Sequence, residues 1–517
     1  MTTSARHRIP RLSLSLPLAL GVALGVALGV ALGAAGLPGA LRAQAPVDAD
    51  ALRDLDRYIA GAVEEWNLPG LALAIVAGDS VVFARGYGLR NIERPEPVDT
   101  GTRFAIGSTT KAMISVALGI LVDEGTVEWD APVITYLPWF RVGDPYITRE
   151  LTVRDLLTHR GGFPNIDQIW SNPGFTGDEI VRRIAELEPV YSLRSSFIYQ
   201  NVMYAVAGEV IEAAAGVPWD AFVHERIFEP LGMTATEATL GALEGQSNVA
   251  SPHLNTGGTL RLTTNLPVDP VGPAGSVWSS IDDMARWIRF NLNGGELEGV
   301  RLLDEATHRE ILSPQVMAPT SMYPTMQIVE PRFFTYGLAW FIHDYQNEHV
   351  VMHTGSIRGM NALAGMLPDR GVGVYVLANA GGAELRHALM YRVFDLFTGA
   401  PERDWSSELR ELYAAPSPPA EPMVQADEGG REPGLPLERY TGTFRVPVFG
   451  EVTVTERDGV LYLVSEFDRA GPLEHDRYDA FRVEWEGDVG GIAPVVFLPD
   501  GMGGVRGVRV FGATFER

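Results

Sequence analysis

Strand-like and helix-like segments are unevenly distributed along this chain, and that distribution limits the fold more than any single motif does. Residues 71–77 and 81–87 are apolar runs of strand length joined by Gly78-Asp79-Ser80, which predicts an antiparallel hairpin. Residues 336–344, 350–353, 362–366 and 373–378 predict four further strands, with turns at 346–348, 355–359 and 369–371. The intervening chain has helical periodicity at 112–121, 152–157, 178–186, 202–215, 219–227 and 280–292. An amphipathic helix over 47–66 (Leu52, Leu55, Ile59, Val63, Trp66) precedes the hairpin, and another helix over 384–397 follows the last strand. Such an order predicts an α+β domain with one antiparallel sheet built from both ends, flanked by helices, and a helical insertion between.

Beyond a Pro/Gly-rich linker at 411–434 the texture changes. Short runs at 440–446, 451–456, 460–464, 480–484, 495–498 and 505–511, separated by turns, predict a small all-β sandwich or barrel over 435–517. The first domain then spans 44–410. At the N-terminus, Arg6, Arg8 and Arg11 precede an apolar run over 12–41, and Ala43-Gln44-Ala45 offers small residues for cleavage. Residues 1–43 read as a secretion signal, which places the mature chain outside the cytoplasm, secreted or periplasmic. Left uncleaved, the run would anchor the chain in a membrane. A formal net charge of −24 argues against nucleic acid and anionic lipid surfaces as partners. The absence of cysteine excludes disulfides, a thiol nucleophile and thiolate metal sites.

Three segments carry chemistry. In Gly107-Ser108-Thr109-Thr110-Lys111, ahead of the 112–121 helix, Ser108 and Lys111 fall one turn apart on one face. A serine hydroxyl needs a base, and a buried lysine loses proton affinity and can serve as one. In Tyr199-Gln200-Asn201, extended backbone would turn Tyr199 and Asn201 to the same side, the first able to move a proton and the second to donate to a substrate carbonyl. In His353-Thr354-Gly355-Ser356, an edge strand would run along a cleft, with glycine allowing close approach and His353 offering a polar, protonatable group. The N–H groups of Ser108 and Ser356 could pair as an oxyanion hole.

Taken in this order, the segments resemble the serine β-lactamase and penicillin-binding-protein superfamily. The narrower likeness is to the branch of class C β-lactamases, D-alanyl-D-alanine carboxypeptidases, D-aminopeptidases and carboxylesterases. It covers residues 50–400 and includes Pro69-Gly70, Leu156-Leu157-Thr158-His159 and Gly272-Pro273-Ala274-Gly275-Ser276. The resemblance implies that Ser108 is the acylated nucleophile, Lys111 its proton partner and Tyr199 the general base. Asn201, His353, Thr354, Gly355 and Ser356 would lie on the substrate side, and no metal or cofactor is implied. The substrate would be a small molecule or peptide, hydrolysed at an amide or ester. Where β-lactamases and cell-wall carboxypeptidases carry Lys-Thr-Gly, this chain has His353-Thr354-Gly355, as in aminopeptidase and esterase members, so efficient β-lactam hydrolysis is not expected. Gln200 replaces the commoner serine of the second motif. The C-terminal region resembles the lipocalin-like barrel of some family peptidases, where it reaches the cleft or builds oligomers, so a homo-oligomer is an expectation here. Specificity is expected to reside in the loops at 160–195 and 315–335.

Other classes fit less well. His343, Asp344, His349 and His353 are close in sequence, but the segment reads as strand and lacks the His-Glu-x-x-His pattern of a metal hydrolase. No Gly-x-Ser-x-Gly elbow is present for an α/β-hydrolase. A β-lactamase or D,D-carboxypeptidase is the nearest alternative activity, and a non-catalytic scaffold would make no use of Ser108, Lys111 and Tyr199. His159, closing a helix, reads as structural.

Overall fold

The computed structural model describes residues 48–170, 174–256, 258–414, 432–466, 469–486 and 492–517. The expected signal over 1–43 and most of the 411–434 linker lie outside the described residues. Among the described residues no helix is long and apolar enough to cross a membrane.

The two ends of the first domain do meet in one sheet. Its strands are β1 (Gly70–Ala77), β2 (Ser80–Gly88), β3 (Val316–Met317), β4 (Phe334–Tyr336), β5 (Phe341–Tyr345), β6 (Glu348–Ile357), β7 (Met360–Leu367) and β8 (Val372–Ala378). Their order is β2-β1-β8-β7-β6-β5-β4-β3, all antiparallel, and β1 pairs with β8 from Leu71↔Ala378 to Ala77↔Val372. β1 is apolar throughout because both faces of the sheet are covered. Leu71, Leu73 and Ile75 enter one core with helices α1 (Ala49–Glu65), α5 (Leu385–Thr398) and α6 (Trp405–Ala414). Ala72, Ala74 and Val76 enter the other, with α2 (Thr110–Asp123), α3 (Val202–Ala215) and α4 (Ile281–Leu292). Helix α6, whose Trp405 and Leu409 are buried, lies within the stretch read as domain end and linker.

Three local expectations are corrected. Residues 336–344 are not one strand. The chain reverses at Gly337–Trp340, where Gly337 N donates to the Trp340 carbonyl at 2.7 Å and Ala339 takes φ 74°. A side chain at Gly337 would meet the Ile311 and Ser313 carbonyls at 2.8 and 2.9 Å, so the bend is set by packing and not by local propensity. Second, the turn expected at 355–359 begins later, because β6 continues to Ile357 and only Gly359 (φ 70°) takes the left-handed region. Third, β6 is an edge strand for only half its length. It pairs with β7 from Val351 to Ile357, but with β5 only as far as Met352, so residues 353–357 have one open side.

The C-terminal region is a closed barrel of eight sequentially paired strands, two more than expected. These are β9 (Gly442–Val446), β10 (Gly450–Arg457), β11 (Val460–Ser465), β12 (Ala470–Arg477), β13 (Ala480–Glu484), β14 (Ile492–Pro499), β15 (Val505–Val510) and β16 (Ala513–Glu516). Closure runs through Arg445↔Glu516. The missed strands, β12 and β16, bury only Gly471 and Leu473, and Phe515, among polar and partly exposed neighbours, which leaves a weak apolar alternation.

Candidate active site

Ser108 lies in the short turn Gly107–Thr109 that runs directly into α2, and Lys111 occupies the first helical turn. Lys111 is fully buried, and its Nζ donates to Ser108 Oγ at 3.0 Å, Asn201 Oδ1 at 2.7 Å and the Ala274 carbonyl at 2.7 Å. Burial lowers its pKa to about 7, against a smaller upward pull from Asp167. The neutral amine is fully served by the same geometry: two N–H groups go to Asn201 and Ala274, and the lone pair faces the serine hydroxyl.

Asn201 precedes α3, yet its side chain makes no cap bond. Instead, Oδ1 holds Lys111 and Nδ2 donates to Asp167 Oδ1 at 2.9 Å, so in this structure the amide orients the lysine. The Tyr199 ring lies 4.9 Å from Lys111 Nζ. Burial pushes the Tyr199 pKa well above 10, outweighing a hydrogen bond with Ser108 that acts to lower it. His159, expected to lie away from the three motifs, instead packs against Tyr199 at 4.1 Å between ring centroids, and its Nδ1 accepts from Gln200 N at 3.0 Å. The unusual Gln200 has a local explanation. Its Nε2 donates to the Phe163 and Pro164 carbonyls and ties the 160s loop to the second motif.

His353 differs from expectation. Its Nδ1 lies 2.6 Å from the Thr354 carbonyl and its Nε2 3.1 Å from the Tyr336 hydroxyl. A carbonyl only accepts, which fixes the proton on Nδ1 and leaves Nε2 to accept from Tyr336. Burial lowers the pKa to about 3, with Lys111 adding to the effect, so the ring is neutral rather than partly charged. Thr354 Oγ1 shares a hydrogen bond with the Tyr323 hydroxyl at 2.9 Å. Arg386 donates to the Gly355 carbonyl (2.6 Å) and Ser356 Oγ (3.0 Å), and is itself paired with Glu384.

Gly355 is needed for proximity and not for its dihedral angles. A Cβ there would fall 1.9 Å from the Ile106 carbonyl oxygen and 3.1 Å from Ser108 N, and one at Gly107 would fall 2.7 Å from Ser356 N. The nucleophile turn and the open side of β6 therefore touch backbone to backbone. An open cavity of about 400 Å³ lies over this junction, lined by Ser108, Tyr199, Asn201, His353, Thr354 and Ser356. Gly355 forms the backbone between these lining residues, and Lys111 lies beneath, so the three segments are brought to one place. Asp167, Trp170, Tyr323, Glu384, Arg386 and Tyr413 also line the cavity and were not singled out from the sequence. Asp167 and Tyr323 come from the two loops expected to carry specificity, but no pattern within those loops marked them.

The family model described as Beta-lactamase matches residues 55–396, and one described as Domain of unknown function (DUF3471) matches 426–516. Unguisins hydrolase ungD of Aspergillus violaceofuscus is 27% identical over 79% of this chain and 78% of its own length. Protein flp of Staphylococcus aureus is 24% identical over 64% of this chain and 63% of its own. The octameric penicillin-binding protein homologue from Pyrococcus abyssi superposes with TM-score 0.60 at 23% identity, covering 90% of this chain and 98% of that one. SurE superposes with TM-score 0.57 at 20% identity, over 90% and 99%.

Proposed function

The chain belongs to the Beta-lactamase family of serine hydrolases, and from that premise we propose that it cleaves amide or ester substrates through an acyl-enzyme on Ser108. The observation that carries this reading is the 3.0 Å contact between Ser108 Oγ and a fully buried Lys111 poised near neutral pH. Neutral Lys111 takes the hydroxyl proton as Ser108 attacks the carbonyl. The N–H groups of Ser108 and Ser356 receive the developing oxyanion. Tyr199, the general base by resemblance, is held as a phenol by burial and in this reading instead passes a proton to the leaving group and recovers one from Lys111. Water then releases the acid by the reverse relay.

The substrates in this reading are peptides containing D-residues, or carboxylic esters. A neutral His353 offers no cation to a substrate carboxylate at the third motif, which weighs against β-lactamase or D,D-carboxypeptidase activity. The name of the fungal relative, a hydrolase of unguisins, supports a hydrolytic reading. Export through residues 1–43 and self-association belong to the same proposal. N-terminal sequencing of the mature chain tests the first, with cleavage expected after Ala43, and light scattering tests the second.

A panel of p-nitrophenyl esters, D-amino-acid anilides, D-Ala-D-Ala peptides and a chromogenic cephalosporin tests the activity. Turnover of the esters or anilides that disappears in Ser108→Ala is expected. Turnover that survives Ser108→Ala refutes the acyl-enzyme, and dominant cephalosporin turnover refutes the substrate assignment.

A further inference from the structure

A second cavity, of about 520 Å³, backs onto the catalytic one. One loop separates them: Asp167 and Trp170 face the catalytic cavity, whereas Asn165 and Gln168 face the second. Asn165 also donates from Nδ2 to the Tyr199 carbonyl at 3.0 Å, so the shared wall is tied to the second motif. The opposite wall belongs to the barrel and includes Arg469, Trp485, Arg509 and Phe511.

The barrel wall is built like a receptor for a flat anion. Trp485 and Phe511 are stacked, 5.1 Å apart and 10° from parallel, and the Arg469 guanidinium lies 5.8 Å over Trp485. Arg469 Nε is buried with no hydrogen-bond partner. A second arginine, Arg509, lines the same cavity. Among the described residues, Arg469 and Arg509 make no ion pair. Arg469 and Arg509 both line the cavity, where a carboxylate would find guanidinium groups able to give charge-assisted hydrogen bonds.

We propose that the barrel supplies a subsite for a substrate carboxylate carried next to an aromatic or aliphatic group, with Arg469 and Arg509 receiving the carboxylate and Trp485 and Phe511 the apolar part. The assignment rests on the acyl-enzyme reading of Ser108, because the subsite orients the end of the substrate remote from the bond attacked. It also moves anion recognition from the third motif, where His353 is uncharged, to the second domain.

Calorimetric titration of the Ser108→Ala chain with N-acetyl-D-phenylalanine and with its carboxamide reads this subsite without turnover. The acid is expected to bind about tenfold more tightly than the amide, with the advantage shrinking in salt and disappearing in Arg469→Gln. Arg509→Gln, which removes the second guanidinium of the cavity, is expected to reduce the same preference. Equal binding of acid and amide, or a preference that survives both substitutions, overturns the proposal. Failure of the acyl-enzyme reading shows separately, as the absence of a covalent adduct on Ser108 in the parent chain.

Discussion

Lys111 Nζ stands 3.0 Å from Ser108 Oγ while its remaining contacts, Asn201 Oδ1 and the Ala274 carbonyl at 2.7 Å each, are acceptors alone. A buried amine so placed is satisfied when neutral and is directed at the one hydroxyl able to give it a proton. With its pKa near 7, the acylation rate should rise with pH through that value as Lys111 loses its proton. Asp167 pulls this pKa upward, so Asp167→Asn should move the midpoint of the pH profile of kcat/KM to lower pH. A midpoint that stays put or rises would separate the profile from Lys111.

Tyr199 should act as a phenol. Burial holds its pKa well above 10, so Tyr199→Phe should lower kcat by about 10²–10⁴-fold while leaving the midpoint near 7 intact. Loss of the pH-dependent limb itself in this variant would instead assign the ionisation to the tyrosine. Steady-state profiles on a p-nitrophenyl ester distinguish the two outcomes.

Gly355→Ala should disable the site although the position is neither catalytic nor in the left-handed region. The added Cβ would sit 1.9 Å from the Ile106 carbonyl oxygen, backbone against backbone, and must push the Ser108 turn away from β6. An ångström of displacement here should cost about 10²-fold in kcat. Gly61→Ala on α1, with nothing within 4 Å, serves as the control and should raise helix stability by about 0.5–1 kcal/mol. Paired kinetics and thermal melts check both.

Acid should destabilise the fold through buried neutral histidines. His353 and His343 are lowered to about 3 and His308 to about 4 by burial, from an ordinary value near 6.5. Between those values the unfolded chain binds protons that the native state refuses, so stability is highest above pH 6.5 and is lost as pH falls toward 3. The slope is at most about 1.4 kcal/mol per pH unit for each such histidine. Tm measured from pH 7.5 to 4.5 should fall accordingly, and His308→Leu should flatten the decline.

Local chemistry made much of this legible in the sequence. Ser108 and Lys111 are one helical turn apart, Tyr199 and Asn201 alternate along extended chain, and the order of strands and helices called for one sheet built from both ends of the domain, which the pairing of β1 with β8 provides. What sequence alone could not show depends on distant packing. Whether His353 is charged is decided by its burial against Tyr336 and Lys111, which no neighbouring residue encodes. The reversal at Gly337–Trp340 is imposed by the Ile311 and Ser313 carbonyls. Asp167 and Tyr323 join the site through loops whose paths are fixed only once the sheet and α3 are in place.

The most direct measurement is the rate at which a fluorophosphonate labels Ser108 as a function of pH, with the adduct located by peptide mass spectrometry, in the parent chain and in Lys111→Met. A single adduct on Ser108, forming faster as pH rises through about 7 and slowed by about 10³-fold or more without the lysine, is the result expected here. Labelling that falls elsewhere, or that proceeds on Ser108 at an undiminished rate in Lys111→Met, would contradict it.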